Sequence, residues 1–111
     1  MVIPVVDIDA CFAALGDATR RAIVARLSRG EATVGELAAP FPLTQQAISR
    51  HVRVLRESGL VEQRVDGQRR PCRLNAAAMA GLGDWIGEQR REWEGRLGKL
   101  DEHLTTRRRV P

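Results

Sequence analysis

Apolar residues recur at intervals of three and four in a series of short stretches, each bracketed by residues that start or stop helices. The clearest pair lies between Thr33 and Leu60, in TVGELAAPFPLTQQAISRHVRVLRESGL. Thr33 can cap a helix with Glu36 as its reciprocal partner, Leu37 and Ala38 give it apolar surface, and Pro40 and Pro42 stop it. Thr44 starts a second helix, whose inward side is traced by Ala47, Ile48, Val52 and Leu55, with Leu60 beyond a stop at Gly59. Upstream, Ile8, Phe12, Ala13 and Leu15 predict an apolar stripe on a first helix. Asp17 then caps another, in which Ile23, Val24 and Leu27 face inward before Gly30.

The period changes after Leu60. In LVEQRVDGQRRPCRL the chain becomes extended, Asp66-Gly67 supplies a two-residue turn, and Arg69 to Leu74 return antiparallel. Pro71 cannot donate a ladder hydrogen bond, so it is expected on the exposed edge of this hairpin. Asn75 then caps a long helix through Leu104, with Leu82, Ile86, Trp93, Leu97, Leu100 and Leu104 at near-helical spacing and Gln89 interrupting them. Gly81, Gly83, Gly87, Gly95 and Gly98 weaken that helix, so its order must come from tertiary or intersubunit packing. Trp85 and Trp93 sit inside this pattern and read as core or interface rather than as a base-stacking pair.

These elements predict a mostly α fold with a small β-hairpin wing, a winged helix-turn-helix. It is read as one domain over 1–111, with the helix-turn-helix at 33–59, the wing at 60–74 and a dimerisation helix at 76–104. The polar side of the second helix then becomes chemically interesting. Gln45, Gln46, Ser49, Arg50 and Arg53 carry amides and guanidinium groups suited to base edges, while Thr44 and the first free backbone N–H groups suit phosphate. At the wing, Arg64, Gln68, Arg69 and Arg70 can reach phosphates or the minor groove. Arg20 and Arg21 stand near a helix start, where the dipole disfavours cations; a scaffold role outweighs a phosphate contact there.

Composition narrows the partners. The 111 residues are 43% hydrophobic, and the chain carries a formal charge of +4 with a sequence pI near 10.4, which favours polyanions. Of the 18 basic residues only Lys99 is a lysine; arginine suits forked contacts to guanine or phosphate, although genome composition produces the same bias. No apolar run is long enough to span a bilayer and no basic leader precedes one, so a cytoplasmic location is expected. Cys11 and Cys72 do not form a secreted disulfide framework, and Ser49 and His51 are too close along one helix to act as nucleophile and base, so no enzymatic activity is expected.

The arrangement resembles the ArsR family of winged-helix repressors. The matching pieces are FAALGDATRRAIVARLSRGEATVGELA, LTQQAISRHVRVLRESGLV, VDGQRRPCRLN and WIGEQRREWEGRLGKLDEHL. The resemblance implies a homodimeric repressor on double-stranded operator DNA, an imperfect palindrome, with Thr44, Gln45, Gln46, Ser49, Arg50 and His51 in the recognition-helix region and Arg69 and Arg70 in the wing. A histidine at position 51 could instead hydrogen-bond within the scaffold. The interface expected from the last helix, with the first, comprises Phe12, Leu82, Ile86, Trp93, Leu97, Leu100 and Leu104.

The chain departs from the family's metal-sensing members. Thr33 and Gly35 stand where those relatives place a thiolate pair, and Asp101 and His103 are followed by no further carboxylate or imidazole. No metal or cofactor is expected, and the resemblance is to the subgroup lacking the usual metal motifs. The effector stays open between a small apolar ligand, a protein partner and regulation by concentration, with a redox switch at Cys11 or Cys72 as the alternative for control. The rival to DNA regulation is a winged-helix protein-interaction module.

Overall fold

The computed structural model describes residues 7–109, with side chains through Lys99. Its elements are α1 (Ile8–Leu15), α2 (Ala18–Leu27), α3 (Val34–Ala38), α4 (Gln45–Glu57), β1 (Val61–Gln63), β2 (Cys72–Leu74) and α5 (Ala76–Arg109). Each of the first four helices starts at a side-chain cap. The carboxylates of Asp7 and Asp17 accept from the N–H groups of Ala10 and Arg20, and the hydroxyls of Thr33 and Thr44 from those of Glu36 and Ala47. Asn75 does the same for Ala78 at the head of α5.

Helix α4 is the hub and packs against α1, α2, α3 and β1. Ile48, Val52 and Leu55 are buried along one side of it, meeting Ile23 and Leu27 of α2 and Leu37 of α3. Gly59, at φ 86°, lets the chain leave α4 and deliver Leu60 and Val61 into the same core. Truncating a side chain as fully enclosed as Leu55 to alanine costs about 2–5 kcal/mol.

The packing shifts several sequence expectations. On α1 the inward residues are Cys11 and Ala14; Ile8 and Leu15 are half-buried, and Phe12 and Ala13 are exposed. Small side chains let α1 approach its neighbours closely, and Phe12 is turned instead onto Trp85 of α5, the rings meeting edge-on with centroids 5.7 Å apart. The cationic start of α2 is also explained. Arg20 donates through Nε to the Ala14 carbonyl at 2.6 Å and Arg21 through Nη1 to that of Leu15 at 2.7 Å, so both arginines serve the negative end of α1.

The hairpin pairs Val61 with Leu74, Glu62 with Arg73 and Gln63 with Cys72. Asp66 and Arg69 exchange both backbone hydrogen bonds, so the turn residues are Gly67 and Gln68, one position later than the Asp66-Gly67 turn expected. The reason is the positive φ of 62° needed at the first central position, which Gly67 supplies. Ala32 pairs with Cys72 on the other side of β2, through hydrogen bonds of 3.1 and 2.7 Å. The returning strand is therefore covered at its base. Pro71 is buried, contrary to the exposed edge expected for it, and Cys72 beside it is buried too.

Helix α5 continues past Leu104 to Arg109, a length of about 50 Å at 1.5 Å per residue. Among the described residues, α5 joins the core at its beginning, through Ala78, Met79 and Leu82. Leu82 is 5% exposed within its own chain, which removes it from the expected intersubunit set. Phe12, Ile86, Trp93 and Leu97 remain uncovered, together with Trp85, whereas the side chains of Leu100 and Leu104 lie outside the described residues.

Candidate nucleic-acid interface

Helices α3 and α4 form the helix-turn-helix. In the capping box of α3 the Thr33 hydroxyl accepts from the Glu36 N–H, and the Glu36 carboxylate accepts from the Thr33 N–H, each at 3.2 Å. The prolines that follow break the chain before Thr44, whose hydroxyl accepts from the Ala47 N–H at 3.1 Å and keeps a proton it can still donate. Burial of Ile48, Val52 and Leu55 turns the opposite side of α4 to solvent. Gln45, Gln46, Ser49 and Arg50 are all exposed there, spaced so that they share one face.

Two residues of α4 behave differently. Arg53 is exposed but paired with Glu57 at 3.3 Å, one helical turn on. The His51 ring is half-buried against the α1–α2 junction, its Nδ1 3.4 Å from Arg20 Nη1 and 3.8 Å from Asp17 Oδ1. This is the scaffold alternative given for that histidine, and it ties α4 to the cap of α2.

The wing stands beside α4, and an open groove between them is lined by Thr33, Gly35, Gln45, Gln68, Arg69 and Arg70. Arg64 forks onto both oxygens of Glu31, with Nη2–Oε2 at 2.8 Å and Nε–Oε1 at 3.2 Å, and lies 3.8 Å from Asp66. Arg69 Nη2 meets Glu36 Oε1 at 2.8 Å. Arg70 folds back on the turn and donates to the carbonyls of Gly67 and Arg69, each at 3.0 Å. The hydrogen bond from Arg64 holds the Glu31 carboxyl below the usual carboxylate range; that of Glu36 is lowered first by the Thr33 N–H, then by the Thr33 hydroxyl and Arg69. Glu31 and Glu36 were not singled out as wing partners by sequence reasoning. Each arginine is 33 positions from its carboxylate, so no local pattern links them.

The thiols have a different setting. Burial pushes up both Cys11, aided by Asp7, and Cys72, where Arg56 and Gln63 act weakly the other way. Thr33 is engaged in its capping box and Gly35 has no donor, and among the described residues no three His, Cys, Asp or Glu side chains gather as a metal site. Asp101 and His103 have side chains outside the described set. No described helix is long and apolar enough to cross a membrane.

Residues 15–64 match the family model described as a helix-turn-helix domain. The HTH-type transcriptional regulator Rv2034 of Mycobacterium tuberculosis is 45% identical over 74 residues, spanning 67% of this chain and 69% of that protein. The crystal structure of the ArsR family transcriptional regulator RHA00566 superposes with a TM-score of 0.71 at 38% identity, covering 78% of this chain and 96% of the other. The chain belongs to the ArsR family. It is thus a winged helix-turn-helix regulator that binds DNA, in a class without enzymatic function. A further member of the fold, the homodimeric winged helix-turn-helix DNA-binding domain of Mb0332 from Mycobacterium bovis, is 26% identical, with a TM-score of 0.63 over 77% of this chain and 79% of that one.

Proposed function

We propose that this ArsR-family protein is a homodimeric repressor that occupies an imperfect palindrome in promoter DNA. The observation that carries the reading is the face of Gln45, Gln46, Ser49 and Arg50, solvent-exposed beside an arginine-bearing wing. On this reading 33–59 is the reading head, with α4 entering the major groove and Thr44 meeting phosphate at its start. The wing at 60–74 lays Arg64, Gln68, Arg69 and Arg70 along the backbone, while Arg53 and His51 serve mainly to position these elements through their intrachain contacts. Two recognition helices separated by about 34 Å, one duplex turn, read two half-sites.

Dimerisation is assigned to the 76–104 segment with Phe12. Trp93 is 63% exposed, and Phe12, Trp85, Ile86 and Leu97 are each at least 40% exposed, an apolar series that favours a symmetry mate. The described homodimer of the Mb0332 domain supports the same association. Control by zinc, cadmium or arsenite through a conventional family site is not part of this reading, because the residues at 33 and 35 cannot supply thiolates.

Selection from a random duplex library tests the proposal, followed by binding of the selected site and of random duplex at one salt concentration. The expected outcome is a palindromic site, and Arg50→Ala weakens it at least about tenfold more than random duplex, as loss of a bidentate base contact does. Equal losses on both DNAs refute base reading by Arg50. Failure to enrich any duplex favours a protein-interaction module.

A further inference from the structure

The wing carries its cations already engaged. Arg64 is held in a forked pair with Glu31, which precedes α3, and Arg69 is held by Glu36 in the first turn of α3. Arg69 lines the open groove beside the start of α3 and its pair with Glu36 joins the wing to that helix, while Glu31 holds Arg64 from the segment just before Ala32, which pairs with β2. Glu36 is doubly committed, since its Oε1 also accepts from the Thr33 N–H and hydroxyl. A carboxylate fixed in a capping box cannot follow the arginine onto a phosphate. The arginine must leave it, or share it with a phosphate of like charge.

We infer that Glu31 and Glu36 are built-in competitors of DNA phosphate for Arg64 and Arg69, and that they set how tightly, and with what salt dependence, the wing grips duplex DNA. Side chains at these pairs are 35–61% exposed, so each exchange is easy and its weight small. Counterion release gives the competition a distinct signature. An arginine that neutralises a phosphate frees condensed cations from DNA, whereas one that stays on its carboxylate frees none. The wild-type protein should therefore show a shallower salt slope than its arginine count implies.

The inference rests on the reading that the wing meets DNA, and a double-mutant cycle separates the two. Binding of a random-sequence duplex is measured by fluorescence anisotropy across a salt series for wild type, Glu36→Gln, Arg69→Gln and the double variant. Glutamine is accepted at that position of a capping box, so α3 keeps its start. With Arg69 present, Glu36→Gln should raise affinity about three- to tenfold in a dimer with two such pairs, and steepen the slope of log affinity against log salt by about one for each wing engaged. With Arg69 replaced, the same change should alter affinity by less than about twofold. A Glu31→Gln and Arg64→Gln cycle should behave alike and reports independently of the α3 cap.

Equal gains from Glu36→Gln in both backgrounds would mean generic charge repulsion and overturn the inference. So would an unchanged or weakened affinity with Arg69 present. If Arg69→Gln and Arg64→Gln leave both affinity and slope untouched, wing contact itself fails and the inference falls with it. Loss of affinity in those arginine variants, with carboxylate effects indifferent to their presence, sinks the competition alone.

Discussion

Replacing Trp93 with alanine should dissociate the proposed homodimer without unfolding the chain. The ring is 63% exposed on a stretch of α5 well past Leu82, the last of the described residues that this helix adds to the core, so its removal leaves the monomer's interior intact. A tryptophan offers up to about 250 Å² of surface, of which about 160 Å² is open here. At about 25 cal/mol per Å², complete burial in a partner would be worth about 4 kcal/mol. Alanine retains some of that area and an interface covers only part of it, so about 2 kcal/mol per protomer is a fair expectation. In a two-fold dimer the loss occurs twice, giving about 4 kcal/mol and roughly a thousandfold rise in the dimer dissociation constant. Sedimentation equilibrium from nanomolar to tens of micromolar protein measures it, with far-UV circular dichroism confirming that the helices persist. A shift below tenfold, or a wild-type chain monomeric at micromolar concentration, refutes the assignment of this face.

Thr44→Ala removes the cap of α4 and should cost about 1 kcal/mol in urea denaturation while also weakening DNA binding; a midpoint indistinguishable from wild type contradicts the capping role. The carboxyls of Asp17, Glu31 and Glu36 are all lowered, chiefly by the Arg20 N–H, the Arg64 side chain and the Thr33 N–H respectively. Their contribution is therefore complete above the ordinary carboxylate range and lost as pH falls through and below it, so denaturation midpoints should drop on acidification from about pH 5, and a rise over that interval would count against these partners. Cys11 and Cys72 should resist alkylation at neutral pH in the folded protein and react once it is unfolded. Rapid labelling of the native state would restore the case for a thiol switch.

Much of this fold is local chemistry and was readable along the chain. Thr33 with Glu36, Thr44 with Ala47, and Asn75 with Ala78 are each three positions apart, within reach of one helical turn, so residue type and spacing predict where helices begin. The inward side of α4 followed from the same periodicity, and with it the outward set of Gln45, Gln46, Ser49 and Arg50.

Packing between distant segments decided the rest. An eight-residue α1 with apolar groups around much of its circumference does not say which side faces in; the close approach of its neighbours selected Cys11 and Ala14 and left Phe12 for Trp85. The hairpin pattern suggested an exposed returning strand, but Ala32, forty positions before Cys72, pairs with it and encloses the thiol. Arg20 reads as a misplaced cation until the end of α1 is brought beside it. Arg64 and Arg69 read as free wing charges until Glu31 and Glu36, each 33 positions earlier, are brought against them. Periodicity records which neighbours along the chain share a face, whereas the partner a side chain meets across the fold depends on helix crossings and strand pairing that only the folded chain establishes.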